Sequence, residues 1–299
     1  MPELPDVTIY VEALRERIVG HQLQRLIIRG PFLLRTATPP IDSLPGKSVQ
    51  TIRRLGKQIM LGFEGNLWLS LHLKIAGRLH WRPAGAKPAG KKALAQFEFD
   101  CGTLVLTEAG TQHRASLHLV AGEEGVRALD AGGLEVLEAD LPAFSSALRS
   151  SNHTLKRALT DPRLFSGIGN AYSDEILHRA RLSPVSMTQR LGAEDVERLY
   201  QAIREVLAEW VDRLRTESRG AFPEKVTAFR PAMTVHGRYG QPCLRCGARI
   251  QRIRYASNET NYCAPCQTGG KLLADRALSR LLRQDWPRSL EELDELKRR

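Results

Sequence analysis

The chain has 299 residues, enough for two domains that each bury a core, and its hydrophobic fraction of 42% is ordinary for a globular protein. No run approaches the roughly 18 apolar residues of a membrane span, and the polar start lacks a secretory pattern, which implies a cytoplasmic protein without membrane association. Lys and Arg number 44 against 33 Asp and Glu, a formal net charge of +11; such a balance is either a solvated basic surface or the mark of a polyanionic partner, most often nucleic acid.

The first six residues, Met1-Pro2-Glu3-Leu4-Pro5-Asp6, admit two readings. Pro2 and Pro5 either stiffen a leader, or removal of Met1 leaves a secondary amine on Pro2. An α-amine titrates at about pH 7.7–8.0, so part of it is a neutral nucleophile near neutrality. It can form a covalent imine with a carbonyl-like carbon, and Glu3 stands one residue away to move protons. Residues 8–19 then carry apolar side chains at helical spacing, with Gly20 as the stop. Residues 22–29 and 48–63 predict strands joined through a loop marked by Pro39, Pro40 and Pro45. Residues 66–74 alternate with period two, as a half-buried strand does, and further strands are expected at 94–100, 103–107 and 116–120. Residues 82–92 form a basic loop. Closely spaced strands with short turns predict a β-sandwich over roughly the first 130 residues.

After Ala131-Gly132-Gly133 the pattern turns helical, with helices expected at 142–150, 154–160 and 171–180. A longer helix is expected at 193–216, whose Val196, Leu199, Tyr200, Ile203, Val206, Leu207, Trp210 and Leu214 make one core-facing stripe. Between the second and third of these lies Gly167-Ile168-Gly169-Asn170. Its glycines permit close approach of a ligand, and Asn170 is either the N-cap of the following helix or a donor to a phosphate. Cys243, Cys246, Cys263 and Cys266 form two CxxC pairs, a zinc-ribbon spacing in which four thiolates bind one structural zinc with no open position. Cys101 reads as a small buried hydrophobe. From Arg238 to Arg254 the chain holds five arginines and no acidic residue, a ribbon suited to phosphates. Residues 271–283 predict a helix before a charged C-terminal segment.

Taken together, Pro2-Glu3-Leu4-Pro5, Arg54-Leu55-Gly56-Lys57, Leu71-His72-Leu73, Gly167-Ile168-Gly169-Asn170, Val235-His236-Gly237-Arg238 and the cysteine pairs resemble the formamidopyrimidine-DNA glycosylase/endonuclease VIII family of base-excision repair enzymes, nearly end to end. The resemblance implies an α+β multidomain fold. Its parts are an N-terminal β-sandwich over 1–133, a helix–two-turn–helix domain over 134–225, a zinc-ribbon β-hairpin over 226–270 and a helical extension over 271–299. It further implies a monomer, associated with the nucleoid, that binds damaged double-stranded DNA in a cleft. Pro2 would be the nucleophile on C1′ of the damaged nucleotide, Glu3 the proton shuttle, and Lys57 a phosphate and sugar contact near the lesion. His72, Asn170, Arg238 and the 258 position would bind the DNA backbone, Asp6 stands where the family has glutamate, and Ile75 takes the place of a wedging methionine.

Three departures qualify the likeness. Asn258 occupies the position of a phosphate-gripping arginine. The void-filling loop is replaced by Thr107-Glu-Ala-Gly-Thr-Gln-His-Arg114, where Arg114 is out of register. The chain also continues 33 residues past Cys266. The expected activity is a bifunctional DNA glycosylase and abasic-site lyase favouring abasic sites, oxidised pyrimidines or ring-opened purines over 8-oxoguanine. The alternative is a damaged-DNA-binding protein that keeps the fold with little or no catalysis.

Overall fold

The computed structural model describes residues 1–30, 32–86, 90, 93–109, 114–224, 226, 230–255, 258–273 and 286–298. Two compact units divide the chain, one formed by residues 1–132 and 209–228, the other by 133–208 and 229–299.

The first unit opens with helix α1 (Leu4–Ile18), whose Leu4, Val7, Tyr10, Val11, Leu14 and Ile18 are buried along one face. The helix starts four residues before the predicted 8–19. The Glu3 N–H donates to Asp6 Oδ2 at 3.0 Å, and the Val7 N–H donates to the Glu3 carbonyl at 2.9 Å, which closes a first turn around Pro5. A proline is tolerated there because first-turn amides have no partner within the helix.

Eight strands follow: β1 (Leu23–Ile28), β2 (Val49–Leu55), β3 (Gln58–Phe63), β4 (Leu67–His72), β5 (Gly77–Arg82), β6 (Ala93–Phe99), β7 (Gly102–Glu108) and β8 (Ser116–Ala121). They pair antiparallel into two four-stranded sheets ordered β1-β6-β7-β5 and β2-β3-β4-β8, the expected sandwich. The predicted strand at 48–63 is in fact the β2–β3 hairpin, broken by Gly56-Lys57 with Gly56 at φ +58°. Sequence periodicity also passed over β5 and the short helix α2 (Gly122–Ala128). That helix corrects the expectation for β4, which is buried on both faces. Leu69 and Leu71 enter the main core, while Trp68 packs with Met60 and with Val126 of α2 on the other side. Polar Ser70 is accommodated there by donating to Gln58 Oε1 at 2.7 Å.

The second unit holds α3 (Leu141–Arg149), α4 (Leu155–Thr160), α5 (Asn170–Arg179) and the first part of α6 (Ala193–Ser218), whose remainder belongs to the first unit. The predicted stripe of α6 is buried apart from Tyr200, whose hydroxyl donates to the Ala139 carbonyl at 2.8 Å. Strands β9 (Gln251–Arg254) and β10 (Glu259–Tyr262) form an antiparallel hairpin, followed by α7 (Ala264–Thr268). Of the helix predicted over 271–283, residues 271–273 are not helical and 274–283 lie outside the described residues. The C-terminal helix α8 (Leu290–Arg298) sets Leu290 and Leu293 against Ile253, Tyr262, Ala264 and Leu272, so the segment beyond the last cysteine covers one side of the hairpin. Among the described residues no helix is long and apolar enough to cross a membrane.

Candidate active site and nucleic-acid interface

In the first unit Pro2, Glu3 and Asp6 are all buried at the start of α1. Asp6 spends one carboxylate oxygen on the Glu3 N–H, which fixes the direction in which the terminus leaves the helix. Burial pushes the pKa of the chain-terminal amine of Met1 below its ordinary value; Glu3 and Asp6 oppose this, while Arg78 and Lys57 reinforce it. All four charges are therefore close enough to the terminus to act on it. Lys57 sits half-buried in the β2–β3 turn, presented by the left-handed Gly56 beside it.

His72 ends β4 opposite Gln58 on one side and Ser116 on the other. Burial, with Lys74, Lys57 and His118 adding like charge, lowers its pKa to about 3. The ring is therefore neutral under ordinary conditions, and its buried Nε2 meets no partner among the described residues. A neutral imidazole of this kind can still give one hydrogen bond to an anion. Three residues further on, Ile75 is 57% exposed at the tip of the β4–β5 turn. The tip is tightly built. Lys74 has φ +51°, and a Cβ on Gly77 would lie 2.4 Å from the Leu73 carbonyl oxygen, so only glycine fits there. Arg78 donates from Nη1 to the Gly77 carbonyl at 2.6 Å, holding the base of the turn.

In the second unit the predicted Asn170 turns out to be the first residue of α5, with Gly169 at the N-cap and no side-chain cap. Its amide instead donates to the Glu259 carbonyl at 3.0 Å, tying the helix start to the zinc-side hairpin. Behind it lies a buried ionic network that sequence reasoning passed over. Lys156 donates from Nζ to the Asn170 carbonyl (2.7 Å), Ser173 Oγ (2.8 Å) and Asp174 Oδ1 (2.5 Å). The other oxygen of Asp174 lies 2.8 Å from His236 Nδ1 and accepts the Asn261 N–H at 3.1 Å. Next to it, the carboxylate of Glu175 accepts the backbone N–H groups of Thr234, Val235 and His236 at 2.7–2.9 Å. Consecutive acids inside a helix normally read as a solvated face, and these two are buried. Arg238 is half-buried, and its guanidinium donates to the carbonyls of Met233 (3.3 Å) and Pro242 (3.4 Å), which pins the loop leading to the cysteines. Asn258 is exposed at the hairpin turn.

The four hairpin cysteines converge. Cys246 and Cys263 have their sulfurs 3.4 Å apart, and Cys243, Cys263 and Cys266 belong to one cluster whose donor atoms all lie within 4.8 Å. Four thiolates bound at about 2.3 Å in a tetrahedron place their sulfurs roughly 3.8 Å apart, so this donor set fits one structural zinc. Burial raises the Cys263 thiol far above its usual value and Cys266 to about 11. A bound divalent cation supplies the charge that lets such thiols ionise. One neighbour was not foreseen: the buried His178 of α5 brings Nε2 within 3.4 Å of Cys243 Sγ. Its only sequence signal is its place one turn from the buried carboxylates. Cys101, by contrast, packs against the sandwich core and donates to the Arg17 carbonyl at 3.1 Å.

Comparison with known proteins agrees with this layout. Residues 1–114 match the family model of the formamidopyrimidine-DNA glycosylase N-terminal domain, 134–219 the model of its H2TH domain, and 240–269 the model of a zinc finger found in FPG and IleRS. The formamidopyrimidine-DNA glycosylase of Heliobacterium modesticaldum is 34% identical over 277 residues, covering 89% of this chain and all of the relative. That of Thermus thermophilus is 32% identical over 279 residues, with 90% and 100% covered. A solved complex between the Lactococcus lactis Fpg and an abasic site containing DNA superposes with a TM-score of 0.79 at 27% identity, covering 89% of this chain and 99% of that one. A complex of the same Lactococcus lactis protein with an oxidised pyrimidine containing DNA also gives 0.79, at 28% identity and with 89% and 100% covered.

Proposed function

The chain belongs to the formamidopyrimidine-DNA glycosylase family and is a DNA glycosylase; from that premise we propose that it acts as a bifunctional glycosylase and abasic-site lyase through the amine of Pro2. The observation that carries this reading is Pro2 buried with Glu3 and Asp6 at the start of α1, the end of the chain on which Arg78 and Lys57 also act. Burial favours the uncharged amine, the form that attacks. Once Met1 is removed, the Pro2 nitrogen bonds to C1′ of a flipped-out damaged nucleotide as the C1′–base bond breaks and the base leaves with a proton. The sugar ring opens to an iminium, which activates C2′ for proton loss. Glu3 relays protons between the sugar and the leaving groups. Elimination of the 3′ phosphate, and then of the 5′ phosphate, cuts the strand, and water releases the sugar remnant from Pro2.

Lys57 and the neutral His72 contact phosphates next to the lesion, Ile75 enters the space the base vacates, and Asn170, Arg238 and Asn258 lie along the backbone on the second unit. The Lactococcus lactis relatives were solved with abasic, oxidised pyrimidine and Fapy-dG containing DNA, the lesions assigned to this chain. Weak action on 8-oxoguanine, with little regard for the opposite base, follows from the replaced void-filling loop at residues 107–114, where Arg114 is out of register to read the base left opposite the lesion. The protein works as a monomer in the nucleoid, in four parts with boundaries near residues 133, 225 and 270.

Borohydride reduction in the presence of abasic-site duplex is the test. The iminium is reduced to a stable amine, so processed protein is expected to shift to a DNA-linked band that is lost in Pro2→Gly with Met1 retained. Processed protein with a free Pro2 that gives no band would leave the non-catalytic DNA-binding alternative.

A further inference from the structure

Beside the buried network of the second unit lies an open groove of about 560 Å³, lined among others by His153, Arg157, Asn170, Tyr255, Asn258 and Thr260. Among the described residues no Asp or Glu lines it, although the chain carries 33 of them. Adjacent residues of α4 have opposite fates here. Lys156 turns inward and is consumed by Asn170, Ser173 and Asp174. Arg157 is exposed, and its guanidinium forms no hydrogen bond or ion pair among the described residues. A second observation points into the same groove. Thr260 is 1% exposed, and its hydroxyl oxygen finds no partner among the described residues. An acid-free groove with one uncommitted guanidinium, polar amides and an orphaned hydroxyl fits a singly charged, oxygen-rich group, which is the chemistry of a phosphodiester. A planar fork of N–H donors suits such a group better than an ammonium does.

We propose that Arg157 is a DNA-positioning residue, its guanidinium holding a backbone phosphate in this groove with Asn170 and Asn258 at its border. This rests on the DNA-binding reading above. It also gives the groove the cation that uncharged Asn258, another of its lining residues, does not supply.

The test is fluorescence anisotropy with a labelled duplex carrying a stable abasic-site analogue, titrated at several salt concentrations. Each phosphate neutralised contributes about −0.9 to the slope of log K against log salt. Arg157→Ala is therefore expected to flatten the slope by about 0.9 and to weaken binding roughly tenfold near physiological salt. Arg157→Lys keeps the charge and is expected to keep the slope while losing part of the affinity. Arg179→Ala removes an arginine that is ion-paired to Glu205 and does not line the groove, and is expected to match the wild type. Unchanged zinc content and melting temperature certify the fold of each variant. Wild-type binding that is salt-dependent, with Arg157→Ala parallel to it, overturns the role of Arg157 alone. Wild-type protein that does not bind the duplex at all overturns the underlying DNA-binding reading. Loss of affinity equal in the Ala and Lys variants, with no change of slope, also overturns the proposal, because it reports a structural defect rather than a charge on phosphate.

Discussion

Removing the carboxylate of Asp174 is expected to be among the most damaging single changes in the second unit. The side chain is fully buried and serves three partners: the Lys156 ammonium, the His236 ring and the Asn261 N–H. In Asp174→Ala the ammonium, whose side chain is 10% exposed, keeps only the Asn170 carbonyl and the Ser173 hydroxyl. Deleting one partner of a buried pair costs about 3–5 kcal/mol, because the charge left behind is neither hydrated nor compensated. For a unit of this size each kcal/mol moves the melting temperature by roughly 2–4 °C, so a fall of roughly 6–20 °C is expected. Differential scanning calorimetry and urea titration read the change. The double variant Lys156→Met/Asp174→Ala supplies the control, since with both charges gone most of the loss is expected to return. An Asp174→Ala variant within about 1 kcal/mol of the wild type, or a double variant as unstable as the single one, would refute a stabilising buried pair.

Other outcomes follow from the same structure. Chelation, or Cys243→Ser or Cys263→Ser, is expected to release about one zinc per chain and abolish duplex binding; atomic absorption and anisotropy check this, and full binding by zinc-free protein would refute it. Folded His72 titrates near 3, whereas an exposed imidazole titrates near pH 6.5. The unfolded chain therefore takes up the proton first, so the contribution of His72 is complete above about pH 6.5 and is lost as the pH falls towards 3. Urea titrations between pH 4 and 7.5 should show a shallower acid loss in His72→Gln, and an identical slope would count against the buried neutral ring. Truncation after residue 270 removes Leu272, Leu290 and Leu293 from the cluster with Ile253 and Tyr262. A buried leucine stabilises by roughly 1.5–3 kcal/mol, so faster hydrogen exchange in β9 and β10 is expected, and unchanged protection would show that the extension packs there without consequence.

Features of short range were legible in the residues alone. The CxxC spacing determines a four-thiolate cluster because each pair of donors lies within one tight turn. The stripe of α6 is a matter of period, since a helix repeats its face every 3.6 residues. The sandwich followed from closely spaced strands, although its hairpin at Gly56-Lys57 and the strand β5 escaped a reading by periodicity.

What the tertiary structure decided are the fates of polar residues. Asp174 and Glu175 look like any solvated helical pair in the sequence, yet they are buried because His236 and Asn261, 62 and 87 residues away, bring donors to Asp174, and the amides of residues 234–236 do so for Glu175. Asn170 gave up the capping role for a carbonyl 89 residues distant. Lys156 and Arg157 are neighbours of equal charge, and only packing turned one into a structural ion and left the other open to solvent. Apolar burial is roughly additive and local pattern predicts it, whereas the cost of a buried charge is set by partners that only the folded chain assembles.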